Sequence, residues 1–81
     1  MPKITEDDLL KTHHKNEIHY DYFVGGYNIQ IYQYTVKHHY NYWVRIRPIK
    51  LRGWIKGEIT TNFNTALDLL NTYRREILKN T

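Results

Sequence analysis

The sequence predicts a two-layer α+β domain with a short N-terminal helix, a four-stranded antiparallel meander and a long C-terminal helix on one sheet face. Three observations lead there. Residues 17–24 and 27–37 alternate apolar and polar on either side of Gly25-Gly26, the pattern of a hairpin whose two-residue turn needs positive φ. Phe63, Ala66, Leu67, Leu70, Tyr73 or Arg74, and Ile77 recur at three- and four-residue spacing, the pattern of a helix with one buried face. With 81 residues and no cysteine, the chain is expected to form one small domain, 1–81, held by aromatic packing or a second subunit rather than by disulfides.

The elements follow in order. Thr5-Glu6-Asp7-Asp8 reads as a capping box, and Leu9 and Leu10 give a narrow apolar stripe, so a helix is expected at about residues 6–14. Two turns of helix are not stable alone in water, so this one must dock or fray. In the first hairpin, pairing Val24 with Tyr27 sets Tyr22 against Ile29, Tyr20 against Ile31, His19 against Tyr32 and Glu17 against Tyr34. That register places the apolar sets on one face, and a one-residue slip would scramble it.

The next strand runs to about Lys37 and is expected to turn through the four residues His38–Asn41. Lys37 would then pair with Tyr42, with Val36 near Trp43, Tyr34 near Arg45 and Tyr32 near Arg47. Pro48 ends the strand 42–47 because it cannot donate to a central ladder. A last strand is expected at Trp54–Thr60, with Ile55 and Ile59 toward the core and Trp54, Lys56 and Glu58 facing away. Asn62 or Asn64 caps the final helix, which runs to about Lys79 with Asn80 after it.

Charge and aromatic content concentrate in one stretch. Residues 27–56 carry six Lys or Arg and no Asp or Glu, with five of the eight tyrosines and both tryptophans. Residues 1–26 sum to −2 and residues 57–81 to zero. A one-sign block of this kind creates a local field that favours an anionic partner, although the same cations also keep an exposed sheet soluble.

One helix covers one face of the sheet. The core face is expected to hold Ile18, Tyr20, Tyr22, Ile29, Ile31, Val44, Ile46, Ile55 and Ile59. The other would then present Gln30, Tyr32, Tyr34, Trp43, Arg45, Arg47, Trp54 and Lys56, with Arg52 in the adjoining connection. Rings interleaved with cations on an open sheet suit single-stranded nucleic acid, where bases stack on the rings and cations hold phosphates; a basic sheet can also enter a duplex groove. The leading expectation is therefore a non-enzymatic protein that binds nucleic acid. Tyr32, Tyr34, Trp43 and Trp54 would stack, and Arg45, Arg47, Arg52 and Lys56 would hold phosphates.

The alternative places the same face on an acidic protein surface, as in a small phage-type accessory protein that inhibits a host or defence enzyme. A third reading is a homodimer whose sheet faces meet, since Tyr, Trp and Arg are the residue types enriched in interfaces. Purely internal packing is the remaining account, either by cross-strand Tyr–Arg pairs or under Leu9 and Leu10 of the first helix.

Three strands and a helix over roughly residues 27–78, with the pattern WVRI…GWIKGEI…FNTALDLL, loosely resemble the arm-binding N-terminal domain of tyrosine recombinases. That resemblance implies a sheet presented to DNA. The Gly-Lys-rich turn frequent in that family is missing, as is the RNA-recognition signature Lys/Arg-Gly-Phe/Tyr-Gly/Ala-Phe.

Catalysis and metal binding are not expected. His13-His14 and His38-His39 are adjacent pairs whose rings diverge, and no HxxxH or HExxH spacing occurs. Histidine ordinarily titrates between pH 5 and 8, so the pair in the second turn is a candidate source of added positive charge in acid. No GxSxG or phosphate-binding glycine loop is present, and Glu17, His19 and Asp21 read as a solvated strand face. No cofactor and no small-molecule substrate is expected. No run nears 18 apolar residues, so no membrane contact is expected and the cytoplasm is the default location.

Overall fold

The structure is a computed structural model that describes residues 3–80. Five antiparallel strands form one sheet in chain order: β1 (Leu10–His14), β2 (Glu17–Val24), β3 (Tyr27–Val36), β4 (His39–Pro48) and β5 (Lys56–Thr60). The helix α1 (Phe63–Lys79) lies across one face. The architecture is α+β, with one strand more and one helix fewer than the sequence predicts.

The N-terminal helix is the first correction. Its capping box exists, since the Thr5 N–H donates to the Asp8 carboxylate at 2.9 Å. It starts only a single 3₁₀ turn, Glu6–Asp8. From Leu10 the chain is extended and pairs with β2, setting Leu10 opposite Asp21 and His14 opposite Glu17. The edge of β2 offers a full row of backbone partners, which a two-turn helix cannot match. All five residues of β1 are exposed, so no apolar alternation marks this strand in the sequence.

The first hairpin has the predicted register throughout its paired residues, from Val24↔Tyr27 to His19↔Tyr32. Gly25 and Gly26 have φ of 55° and 79°, as a two-residue turn of this hand requires. The second hairpin differs. Lys37 and His38 adopt φ of 49° and 69°, so β3 and β4 also join through a two-residue turn, with Val36 opposite His39. Tyr34 therefore pairs with Asn41, Tyr32 with Trp43, Gln30 with Arg45 and Asn28 with Arg47. The displacement from the expected register is even, so each side chain keeps its predicted face.

β5 is the third correction. Its pairing sets Lys56 opposite Ile46, Glu58 opposite Val44 and Ile59 opposite Trp43, which inverts the expected parity. Ile59 is 61% exposed on the outer face and Ile55 remains 58% exposed, so neither belongs to the core. Trp54 precedes the strand and folds onto the outer face, while Ile55 hands its N–H to Ile46 O; the irregular step between them breaks the alternation.

The core lies between helix and sheet. It consists of Tyr20, Ile29, Ile31, Val44 and Ile46 from the strands, Ala66, Leu70, Tyr73 and Ile77 from α1, and Leu9. Ile18 and Tyr22 pack against it from the margin. Asn62 caps α1 by accepting the Thr65 N–H at 3.1 Å. Buried Asn71 holds the N-terminal segment: its Oδ1 accepts the Ile4 N–H at 2.8 Å, and its Nδ2 donates to Ile4 O at 3.0 Å and Leu67 O at 2.9 Å. Asn71→Ala is expected to lower stability by about 2 kcal/mol, because it orphans buried backbone groups and frees the segment that carries Leu9. Thermal unfolding checks this; protease sensitivity near residues 3–9 should rise in the same variant.

Candidate functional site: the outer sheet face

The face away from α1 is built by side chains of one parity from all five strands. Its middle row runs Leu10, Asp21, Gln30, Arg45, Gly57, and the next runs Thr12, His19, Tyr32, Trp43, Ile59. Arg45 is the hub. Its Nε and Nη2 donate to Gln30 Oε1 at 2.9 and 2.5 Å, and Gln30 Nε2 donates to Asp21 Oδ1 at 3.0 Å. Three strands are thereby tied side chain to side chain. The same guanidinium lies 4.8 Å from the Tyr32 ring centre, 4.6 Å from Trp43 and 4.3 Å from Trp54, a cation enclosed by three π systems.

Burial works against the charge of Arg45 and lowers its pKa, with Tyr32, Asp21 and Glu17 pulling the other way. Burial also raises the pKa of Tyr32, followed by the hydrogen bond and charge of Glu17. Tyr32 stacks on Tyr34 with centres 5.1 Å apart and planes at 23°, and meets His19 edge-on at 5.1 Å. His19 in turn lies 4.7 Å from His14 and 3.6 Å from the Glu17 carboxylate. Arg47 donates to Leu51 O at 2.7 Å and lies over the Trp54 ring at 5.1 Å, which fastens the connection 49–55 over this end of the sheet.

Gly57 makes the arrangement possible. A Cβ there would lie 2.6 Å from Trp43 Nε1, 2.7 Å from Val44 O and 3.1 Å from Arg45 Cβ. Only glycine lets β5 close on β4 while the indole of Trp43 lies across it.

Six of the eight predicted binding residues meet on this face: Tyr32, Tyr34, Trp43, Arg45, Arg47 and Trp54. Arg52 is exposed in the connection before β5. Lys56 lies on the helix side, where its Nζ contacts the Glu76 carboxylate at 3.1 Å and the Tyr73 ring at 4.8 Å. The prediction left out Asp21, Glu17 and Gly57. The first hairpin's register already pairs Asp21 with Gln30 and sets Glu17 two positions along the same face, so both acids could have been found. Gly57 could not, because its role depends on the later register of β5.

Leu10, Phe23 and Ile59, exposed by 62, 53 and 61%, stand around the cluster on this face. Among the described residues no group of three or more His, Asp or Glu is placed to hold a metal ion, and no helix is long and apolar enough to cross a membrane. Comparisons with protein families, with curated proteins and with solved structures gave no match.

Proposed function

We propose that this chain is a non-catalytic binding module whose outer sheet face docks a protein partner. The observation that carries the reading is the occupancy of the rings. A base stacks on a free aromatic face, yet Tyr32, Trp43 and Trp54 each already have the Arg45 guanidinium against them, with Tyr34 against Tyr32 and Arg47 against Trp54. The charges point the same way. Arg45 and Arg47 share this face with Glu17 and Asp21, and both guanidiniums are already bonded, Arg45 to Gln30 and Arg47 to Leu51 O, which weakens their hold on a phosphate chain. A rigid aromatic–arginine cluster held in place before contact, with apolar side chains around it, is the composition that carries binding energy between proteins.

Capture on immobilised protein tests this. The wild type should retain a protein partner after nuclease treatment and at about 500 mM salt, where charges are screened beyond roughly 4 Å. The triple variant Leu10→Asp, Phe23→Asp, Ile59→Asp should lose it while keeping the wild-type circular dichroism. Retention only of nucleic acid, lost both at that salt and in the triple variant, would return the face to the nucleic-acid reading. A dimer in light scattering that the triple variant converts to monomer would assign the face to a second copy.

A further inference from the structure

The helix does not cover the whole of its own face. Beyond Phe63, which packs on Tyr20 and Tyr42, the sheet continues to the turns of two hairpins. There it forms an open groove of about 680 Å³, a size common to ligand sites, whose walls include His13, Lys15, Gln33, Lys37, His38 and Tyr40. None of its lining residues is an Asp or Glu. Neither lysine forms an ion pair among the described residues. Lys11 adds a cation on the β1 side, lying over the Tyr20 ring at 5.6 Å. Glu6 acts on Tyr20 and Tyr42 at the helix end of the face; Glu17, two residues after Lys15 in the chain, belongs to the opposite face.

We propose that this groove binds a chain of phosphates. The turn that carries Lys15 and the turn that carries Lys37 and His38 belong to neighbouring hairpins, two strand spacings or about 10 Å apart. A row of phosphates spans both turns, whereas one phosphate would have to draw the two ammonium groups together. Among the described residues Lys15 and Lys37 form no ion pair, in contrast to Arg45, whose guanidinium is bonded and stacked.

The backbone supplies a second, independent observation. The chain makes the same two-residue hairpin connection twice. At Gly25-Gly26 it uses residues for which positive φ carries no steric cost; at Lys37-His38 it holds two side-chain-bearing residues at φ 49° and 69°. Lys15 is left-handed as well, at φ 49°. Asn-Gly is the stable solution for such a turn, so the cations occupy positions where local stability would select against lysine. Strain kept at a cationic, concave position is the pattern of a binding site.

That contrast gives a test in which loss of folding cannot imitate loss of function. The double variant Lys37→Asn, His38→Gly replaces the turn with the preferred sequence, so its melting temperature should rise by about 5 °C. Binding of two probes, inorganic tripolyphosphate and a short single-stranded oligonucleotide, would be measured at about 50 mM salt, where phosphate contacts are strong. At least one should bind the wild type and bind the more stable variant about tenfold more weakly. Arg52→Ala, away from the groove, should bind as the wild type does. If only the oligonucleotide binds, the natural ligand is a nucleic-acid backbone; if tripolyphosphate binds as tightly, it is a free polyphosphate. The proposal fails if neither probe binds, if the variant binds both as the wild type does, or if binding is lost in Arg52→Ala instead. The site does not depend on the outer-face reading, and failure of either leaves the other standing.

Discussion

Arg45→Ala should lower the stability of this domain by about 3 kcal/mol, far more than an exposed arginine on a sheet would. The guanidinium donates twice to Gln30 and lies against three aromatic rings, so its removal deletes several contacts at once. A desolvated cation–π contact contributes up to about 2 kcal/mol, and a hydrogen bond to a charged group about 1.5–3 kcal/mol. The terms are not additive, and Arg45 is not fully buried, so the sum is discounted to the value given. Gln30, only 6% exposed, would also be left with an unpaired acceptor. In a domain of this size such a loss lowers the melting temperature by about 15 °C. Arg45→Lys should recover less than half of it, because an ammonium cannot make the planar double donation and face three rings at once. A melting temperature within about 2 °C of wild type for Arg45→Ala would show that the cluster is an ornament of the surface rather than part of the fold.

Gly57→Val should be comparably severe. A Cβ at this position meets Val44 O at 2.7 Å, a backbone atom that cannot rotate aside, and Trp43 Nε1 at 2.6 Å. Overpacking of this kind costs about 1–3 kcal/mol, and the larger side chain belongs at the upper end. β5 is an edge strand, so its easiest response is to peel away from β4 and take Ile59 from beside Trp43. The tryptophan emission should shift to the red and the β5 amides should lose hydrogen-exchange protection. Those two local signals separate detachment of the strand from general loss of stability.

The first hairpin and α1 were legible in the sequence because each carries its own register. Gly25-Gly26 fixes the turn, the alternating runs fix the faces, and Asn62 marks where the helical spacing begins. What was not legible depends on partners distant in the chain. Leu10–His14 is a strand because the edge of β2 is there to be paired, and its residues are exposed on both faces, so they show no period-2 pattern. The turn at Lys37-His38 violates the residue preference of its own geometry, which is why a longer loop looked better. β5 changes face because Gly57 must lie under Trp43, a requirement visible only once β4 and β5 are paired.

The candidate site divides along the same line. Parity alone gathered Tyr32, Tyr34, Trp43, Arg45 and Arg47 on one face, since an even register shift leaves parity intact. Parity could not show that these groups bond to one another, nor that Asp21 balances Arg45 through Gln30. Lys15 and Lys37, which form no ion pair among the described residues, lie at hairpin turns beside a groove on the opposite face. A count of charge along the chain could not separate the two sets.

The most direct test is a nitrogen-15 NMR titration of the intact chain with a short single-stranded oligonucleotide. It follows the indole N–H of Trp43 and Trp54 together with the backbone amides of Lys15, Lys37 and His38. On the present account the turn amides move, and both indole signals stay where they are, because the rings are enclosed by Arg45 and Arg47. Shifts of both indole signals, with the turn amides unmoved, would contradict it and make the outer face the nucleic-acid surface.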